Sequence, residues 1–289
     1  MRLKEKLGQK FVITTELGGT PGTNIEKSLT DVGTYSHIDG LNVIDCASAR
    51  LRINSFALAH LIQLKFPDLD ITPHLTCRDR SILGLQSDLI GASALGIKYV
   101  LATTGDPPKE GPYKESKAVY NVTSIQLIKM INNLNKGLDF NDKEIKGETD
   151  FFISAVTPPG AANLDAVIKR MKNKIEAGAN FFQTQPMYDV EKTKKFFKAA
   201  SALEVPILLG VMPLKSIKIA NFMNENVAGI NIPASILKKI NSGVKGTEIA
   251  KEFIQEIYSL DGLSGIHIMA LGDVEATNDI IGFVDSLRK

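Results

Sequence analysis

Eight apolar, β-branched runs recur along this chain, each ending in polar residues and each followed by a stretch of helical period. The runs are KFVITTEL, DGLNVIDC, DITPHLTC, KYVLATTGD, DFFISAVTPP, NFFQTQPMYD, PILLGVMPL and GIHIMALGD. Apolar runs this continuous mark parallel strands covered by helices on one face and packed side chains on the other. Between them, the segment from Ser81 to Leu95 opens on a polar residue and stops before Gly96, and the segment from Leu164 to Ala177 stops before Gly178, as helices with ordinary caps do. Eight such units in 289 residues, with no linker and no shift in composition, predict one α/β domain over residues 1–289. A closed (β/α)₈ TIM barrel suits that count better than a doubly wound sheet. Residues 106–122, rich in Pro, Gly and Lys, read as a long loop over the barrel mouth, and residues 215–258 hold two or three helical stretches that elaborate the seventh unit.

The chain is 44% hydrophobic, enough for a core that needs no covalent staples, and its charged residues nearly cancel to a formal net charge of +2. Such a chain carries no strong field for nucleic acid or anionic lipid, so small-molecule chemistry is expected. The start, MRLKEKLGQKFVITTEL, has no long hydrophobic region, which predicts a cytoplasmic protein with no membrane segment. Cys46 and Cys77 are too few for a zinc site or an iron–sulfur cluster, and no two histidines stand at ligand spacing.

Polar residues gather where the runs end: Glu16, Asp45, Thr76, Asp106, Thr157, Gln185 and Asp189. In a barrel of this kind those ends form the catalytic face. Glu16 follows FVITT; at a desolvated mouth its carboxyl would become a general acid near neutrality, and capping or ion pairing is the plainer role. Asp106 lies in TTGDPP, either exposed for chemistry or simply forming a turn. His74 and Thr76 in TPHLTC offer an imidazole and a hydroxyl to an aromatic cofactor or a phosphate. His267 has the same ambiguity between core and site, whereas His37 and His60 read as surface or helix residues. Gln185 can donate and accept at once, which suits the edge of a pterin-like heterocycle. No GxGxxG follows the first strand and no Walker sequence is present, so a nucleotide cofactor would be held by barrel loops.

Taken together, TPHLTC, LATTGDPP, AGANFFQTQPMYD and NIPA resemble, in order and position, the methylenetetrahydrofolate reductase family. NVIDCASARLRINSFALA is similar to its short prokaryotic branch. The resemblance implies a flavoprotein of one-carbon metabolism and methionine biosynthesis that binds FAD, or alternatively FMN, and reduces a folate-linked one-carbon unit. Glu16 matches the family's general acid, Asp106 an aspartate near flavin and pterin, and Gln185 and Leu271 match folate contacts. Flavin contacts are implied for His74, Thr76, Thr104, Gly105, Asp106, Tyr120, Ala155, Val156 and Lys174. Where familiar members have FFPP, an arginine in the GD turn, a phenylalanine and a second arginine, this chain has LGGTPG, Thr104, Ile217 and Asp273. Those differences bear on NAD(P)H as electron donor. Short members of the branch associate with an iron–sulfur and zinc partner subunit, which implies the same electron source here, and an oligomer is expected. A pterin-dependent methyltransferase barrel without flavin is the other enzyme reading.

Overall fold

Each apolar run becomes a strand. In the computed structural model, which describes residues 1–288, the strands are β1 (Val12–Leu17), β2 (Gly40–Val43), β3 (Asp70–Thr76), β4 (Tyr99–Thr103), β5 (Phe152–Thr157), β6 (Phe181–Pro186), β7 (Ile207–Val211) and β8 (Leu263–Ile268). They pair in chain order, every pair is parallel, and β1 closes on β8. The helices are α1 (Leu3–Lys6), α2 (Glu26–Thr34), α3 (Ser55–Lys65), α4 (Ile82–Ala94), α5 (Ser124–Leu134), α6 (Leu164–Ala177), α7 (Val190–Ala200), α8 (Ile217–Asn226), α9 (Ala234–Asn241), α10 (Gly246–Ile257) and α11 (Val274–Leu287). The expected TIM barrel is therefore the fold, and α8, α9 and α10 are the elaboration of its seventh unit.

Side chains fix where the helices begin. Asn54, Ser81, Thr123, Asn163, Asp189, Ser216 and Asp273 each accept a backbone N–H of the first turn, at roughly 1 kcal/mol apiece. Ser81 is thus the cap of α4 rather than its first residue, and Asp189 caps α7 instead of ending a strand, because β6 stops at Pro186. Gly178 ends α6 at a φ of +121°, where a Cβ would lie 2.6 Å from the Asn132 side chain.

The outward faces of the strands, among them Leu41, Val43, Val100, Ala102, Ile153, Ala155 and Phe182, pack into the main core beneath the helices. Inside, α1 plugs the N-terminal end, where Leu3 and Leu7 meet Val12, Tyr99, Phe181 and Leu208. Above this plug the enclosed wall turns polar, with Thr14, Asn42, Thr72, Ser154, Gln183 and His267 all buried. No helix among the described residues is long and apolar enough to cross a membrane.

Candidate active site

An amide pair spans the polar interior. Asn42 Nδ2 on β2 donates to Gln183 Oε1 on β6 at 2.7 Å, and Gln183 Nε2 returns a bond to Asn42 Oδ1 at 3.2 Å. The same Asn42 nitrogen lies 2.8 Å from His74 Nε2; since an amide NH₂ only donates, Nε2 accepts and the His74 proton sits on Nδ1. Burial pushes the His74 imidazole down to about 4, only partly opposed by the Glu16 charge, so it is neutral at physiological pH.

Glu16 stands at the top of β1, its side chain 13% exposed, with Oε2 3.6 Å from Nε2 of His267 on β8. The His267 ring is buried, and its Nδ1 is 2.8 Å from Thr14 Oγ1. Glu16 thus lies beside the His267 ring, its charge also acts on the His74 imidazole, and no lysine or arginine pairs with it among the described residues.

The GD turn after β4 is clamped from three directions. Gly105 adopts a φ of +85°, and a Cβ there would lie 2.8 Å from Thr76 Cβ, so the turn can sit against β3 only with glycine. The buried guanidinium of Arg78 donates to the Asp106 carbonyl at 3.2 Å, and the Tyr120 hydroxyl donates to the Gly105 carbonyl at 3.0 Å. Asp106 Oδ2 accepts the Ser48 N–H at 2.6 Å, which joins this turn to the β2–α3 loop. Thr104 beside it is exposed. The Thr76 hydroxyl donates to Asp45 at 2.8 Å, and Asp45 is itself buried and paired with Arg80 at 2.7 Å. Asp45, at a strand end, is therefore part of the scaffold.

Beside β5 and α6, Val156, Thr157, Asn163, Arg170 and Lys174 line a cavity of ≈ 220 Å³. Lys174 is 4% exposed and donates to the Val156 carbonyl at 2.7 Å. Burial, assisted by the nearby Arg170 charge, lowers its ammonium to about 8. The Thr157 hydroxyl is buried without a partner. Ala155 turns its methyl into the helix layer, and its backbone lies in the sheet between β4 and β6.

At the end of β6, the strand next to β5, Gln185 Oε1 is also buried and unpartnered, close to Gly229, where a Cβ would approach it to 2.8 Å and would stand 3.3 Å from Pro158 of the same cavity wall. Leu271 projects into solvent, 55% exposed, at a φ of +53°. Asp273 caps α11 and pairs with Lys215 at 3.3 Å, so the carboxylate at this position is committed to the scaffold. Ile217 opens α8 and is partly buried.

A family model described as methylenetetrahydrofolate reductase matches residues 9–284. The chain belongs to the methylenetetrahydrofolate reductase family. It is 26% identical over 237 residues to methylenetetrahydrofolate reductase 1 of Schizosaccharomyces pombe, a match that covers 78% of this chain and 37% of the yeast protein. It is also 26% identical over 223 residues to the 5,10-methylenetetrahydrofolate reductase of Pectobacterium carotovorum, with 72% of this chain and 67% of the relative covered. The chain thus spans well under half of the yeast relative and about two thirds of the bacterial one. Among solved structures, a Clostridium thermocellum protein described as binding two copies of 5-methyl-5,6,7,8-tetrahydrofolic acid shares the fold with a TM-score of 0.68 at 16% identity, over 99% of both chains.

Most of the residues matched to this reductase family fall into three groups in space. Glu16 and His74 belong to the barrel interior; Thr76, Thr104, Gly105, Asp106 and Tyr120 to the GD turn; Ala155, Val156 and Lys174 to the side of β5. Gln185 stands at the end of β6, next to that side of the barrel, and Leu271 follows β8. Asn42, Gln183, Thr14 and Arg78 were not singled out by the sequence reading, although all are buried. For the three on strands the signal was there: Thr14 stands two residues from Glu16 and Gln183 two from Gln185, as Thr72 does from His74, which puts each pair on one face of its strand, and Asn42 is the polar side chain of GLNV.

Proposed function

We propose that this chain reduces 5,10-methylenetetrahydrofolate to 5-methyltetrahydrofolate, with Glu16 as the general acid and a bound flavin as hydride donor. The observation that carries the reading is Glu16 itself, a carboxyl at the barrel mouth that no lysine or arginine pairs with among the described residues, its Oε2 3.6 Å from Nε2 of His267. Protonation of the substrate's ring nitrogen by Glu16 opens the five-membered ring and leaves an electrophilic iminium carbon. Gln185, with its unpartnered carbonyl oxygen, suits the donor edge of a pterin, and Leu271 adds apolar surface beside it. Family membership and a structural neighbour described as binding 5-methyltetrahydrofolic acid agree with a folate substrate.

The chain's residues fit a flavin. Lys174, Arg170 and the unpartnered Thr157 hydroxyl converge on one cavity, a donor set suited to a phosphate. His74, Thr76, Thr104, the backbone at Gly105, Ala155 and Val156, Asp106 and Tyr120 would border the remainder. When bound, reduced flavin supplies hydride to the iminium carbon; FAD is the proposed form and FMN the alternative. Asp106 would place a negative charge beside the ring and hold the turn that carries it.

For electrons we favour a partner subunit with an iron–sulfur centre over direct use of NAD(P)H. Asp273 holds a helix cap and an ion pair where the matched family position carries arginine, which removes a cationic contact for a nicotinamide nucleotide. Glu16→Gln tests the central reading: reoxidation of reduced flavin by methylenetetrahydrofolate should slow by roughly 10² to 10⁴, while flavin binding and reduction persist. A variant that reoxidises at the parental rate removes Glu16 from the acid's role.

A further inference from the structure

Resting on the reading of His74 as a flavin contact, we infer that Asn42 and Gln183 are positioning residues for it: their paired amides fix the imidazole with its hydrogen on Nδ1, the edge left open to a ligand. β2 and β6 stand opposite each other in the closed barrel, so inward side chains from these strands meet across its axis. Asn42 and Gln183 do so, and both are buried. The bonds between them, 2.7 Å from Asn42 Nδ2 to Gln183 Oε1 and 3.2 Å from Gln183 Nε2 to Asn42 Oδ1, close a ring that keeps either amide from turning alone. One hydrogen of Asn42 Nδ2 is used in that ring. The other goes to His74 Nε2 at 2.8 Å, well inside bonding range.

Each nitrogen of His74 then has its own task. A neutral imidazole that accepts at one nitrogen carries its hydrogen on the other, so Nε2 is tied to the amide pair and Nδ1–H is left over. Nδ1 has no partner among the described residues, and it is not one of the buried unpartnered atoms, as Thr72 Oγ1 and Ser154 Oγ are. The residue is partly exposed, so this hydrogen is available to a ligand, and the carbonyl oxygens of a flavin ring accept such a donor. Charging of the ring is suppressed as well, because a hydrogen on Nε2 would be set against those of Asn42 Nδ2. Burial holds the imidazole near 4, with His267 on β8 also opposing a proton while Glu16 on β1 and Asp45 after β2 attract one. Turned over together, the two amides would offer Oδ1 to Nε2 and move the hydrogen there, so the tautomer reports how the pair is set.

Long-range ¹H–¹⁵N correlation spectra of the full chain labelled at histidine, with and without flavin, read the tautomer directly; the His74 signal is the one missing from His74→Gln. In the parent it should show a hydrogen on Nδ1 and a bare Nε2 at neutral pH. Asn42→Asp replaces the donor by an acceptor of the same shape, so the hydrogen should move to Nε2 and the ring should titrate about one pH unit higher or more. Asn42→Leu combined with Gln183→Leu removes both amides at once and leaves neither unpaired. His74 should then exchange between its two tautomers, and this double variant provides the test if Asn42→Asp does not fold. Flavin affinity at pH ~8, where the ring is neutral, should fall by about three- to ten-fold in either variant when followed by fluorescence, the loss expected for one misdirected neutral hydrogen bond. A parent with its hydrogen on Nε2, or a tautomer that is the same in parent and variants, overturns the positioning role. A tautomer that moves while flavin affinity stays at the parental value leaves Asn42 and Gln183 as positioning residues and removes His74 from the flavin's contacts.

Discussion

Lys174 pays for its place beside α6 with its own charge. Its ammonium falls from 10.5 to about 8 because it is buried and Arg170 lies near. The unfolded chain therefore holds a proton more tightly at this residue than the folded chain. The resulting penalty is fully present below pH 8, shrinks as pH rises, and is gone above the unfolded value of 10.5. At about 1.4 kcal/mol per pH unit it amounts to roughly 3 kcal/mol at pH 7. Lys174→Met keeps the stem and removes the penalty, but forfeits the bond to the Val156 carbonyl, about 1 kcal/mol. Flavin-free protein should then be about 2 kcal/mol more stable as the Met variant at pH 7, and the advantage should disappear by about pH 10.

Function should move the other way. An anionic phosphate in the cavity would restore the lysine's basicity, so flavin binding at pH 8 to 9 should take up a proton in the parent and not in the variant. Losing a charge-assisted contact weakens binding by about ten- to a hundred-fold. Urea unfolding of flavin-stripped protein at pH 7 and 10, paired with flavin fluorescence titration, measures both. A Met variant that is less stable at pH 7, or a stability difference that is the same at both pH values, refutes the assignment.

Three further outcomes are expected. His74, held near 4 by burial against an ordinary 6.5, resists a proton that the unfolded chain accepts, so stability should fall as pH drops from about 6.5 toward 4; His74→Gln should flatten that part of the curve in urea unfolding, and parallel curves would contradict the neutral imidazole. Asp106→Asn keeps an acceptor for the Ser48 N–H but removes the charge, so the flavin potential should rise by a few tens of millivolts in dye titration, whereas an unchanged potential would reduce Asp106 to a turn residue. In stopped-flow mixing, the isolated chain should bleach its flavin slowly or not at all with NADH and readily with a reduced viologen; full bleaching by NADH on the turnover timescale would remove the need for a partner.

The barrel was legible because its strands are nearly continuous apolar runs and its helices open on Ser, Asn and Asp side chains, both local signals. Ser81 and Gly178 mark helix boundaries in the sequence and in the structure alike. The chemistry was legible only where a side chain ends a strand, as Glu16 does. Asn42 and Gln183 sit 141 residues apart and bond across the barrel, and no local window contains both. Arg78 reads as a surface arginine in LTCRDR, yet it is buried, because its guanidinium is turned inward to the Asp106 carbonyl while Asp79 neutralises it. Asp45 and Asp189 share the position and polarity of functional residues but serve an ion pair and a helix cap. Position at a strand end selects candidates, and partners decide among them.

The two halves of the site are built to different tolerances. Glu16, His267, Thr14, His74 and Asn42 stand on strands of one closed sheet, and their placement follows from the barrel register. The GD turn depends instead on a loop that is itself strained: Cys46, Ser48 and Ala49 take φ values of 46°, 51° and 50°, each at about 1 kcal/mol for a residue with a side chain. The strain is held by contacts to the long β4–α5 loop. Ser48 donates to Asp106, and the Ala49 carbonyl approaches Gly111 so closely that a Cβ there would stand 2.2 Å from its oxygen. Asp106 therefore carries two duties, a charge at the turn and an anchor for the strained loop, which Asn separates from Ala because only Asn keeps the acceptor. Loop substitutions such as Gly111→Ala should consequently disturb the flavin side of the reaction more than proton delivery from Glu16, because β1 meets the strained loop at its first residue, where the Ile44 N–H donates to the Leu17 carbonyl at 3.0 Å, and not at Ser48 or Ala49.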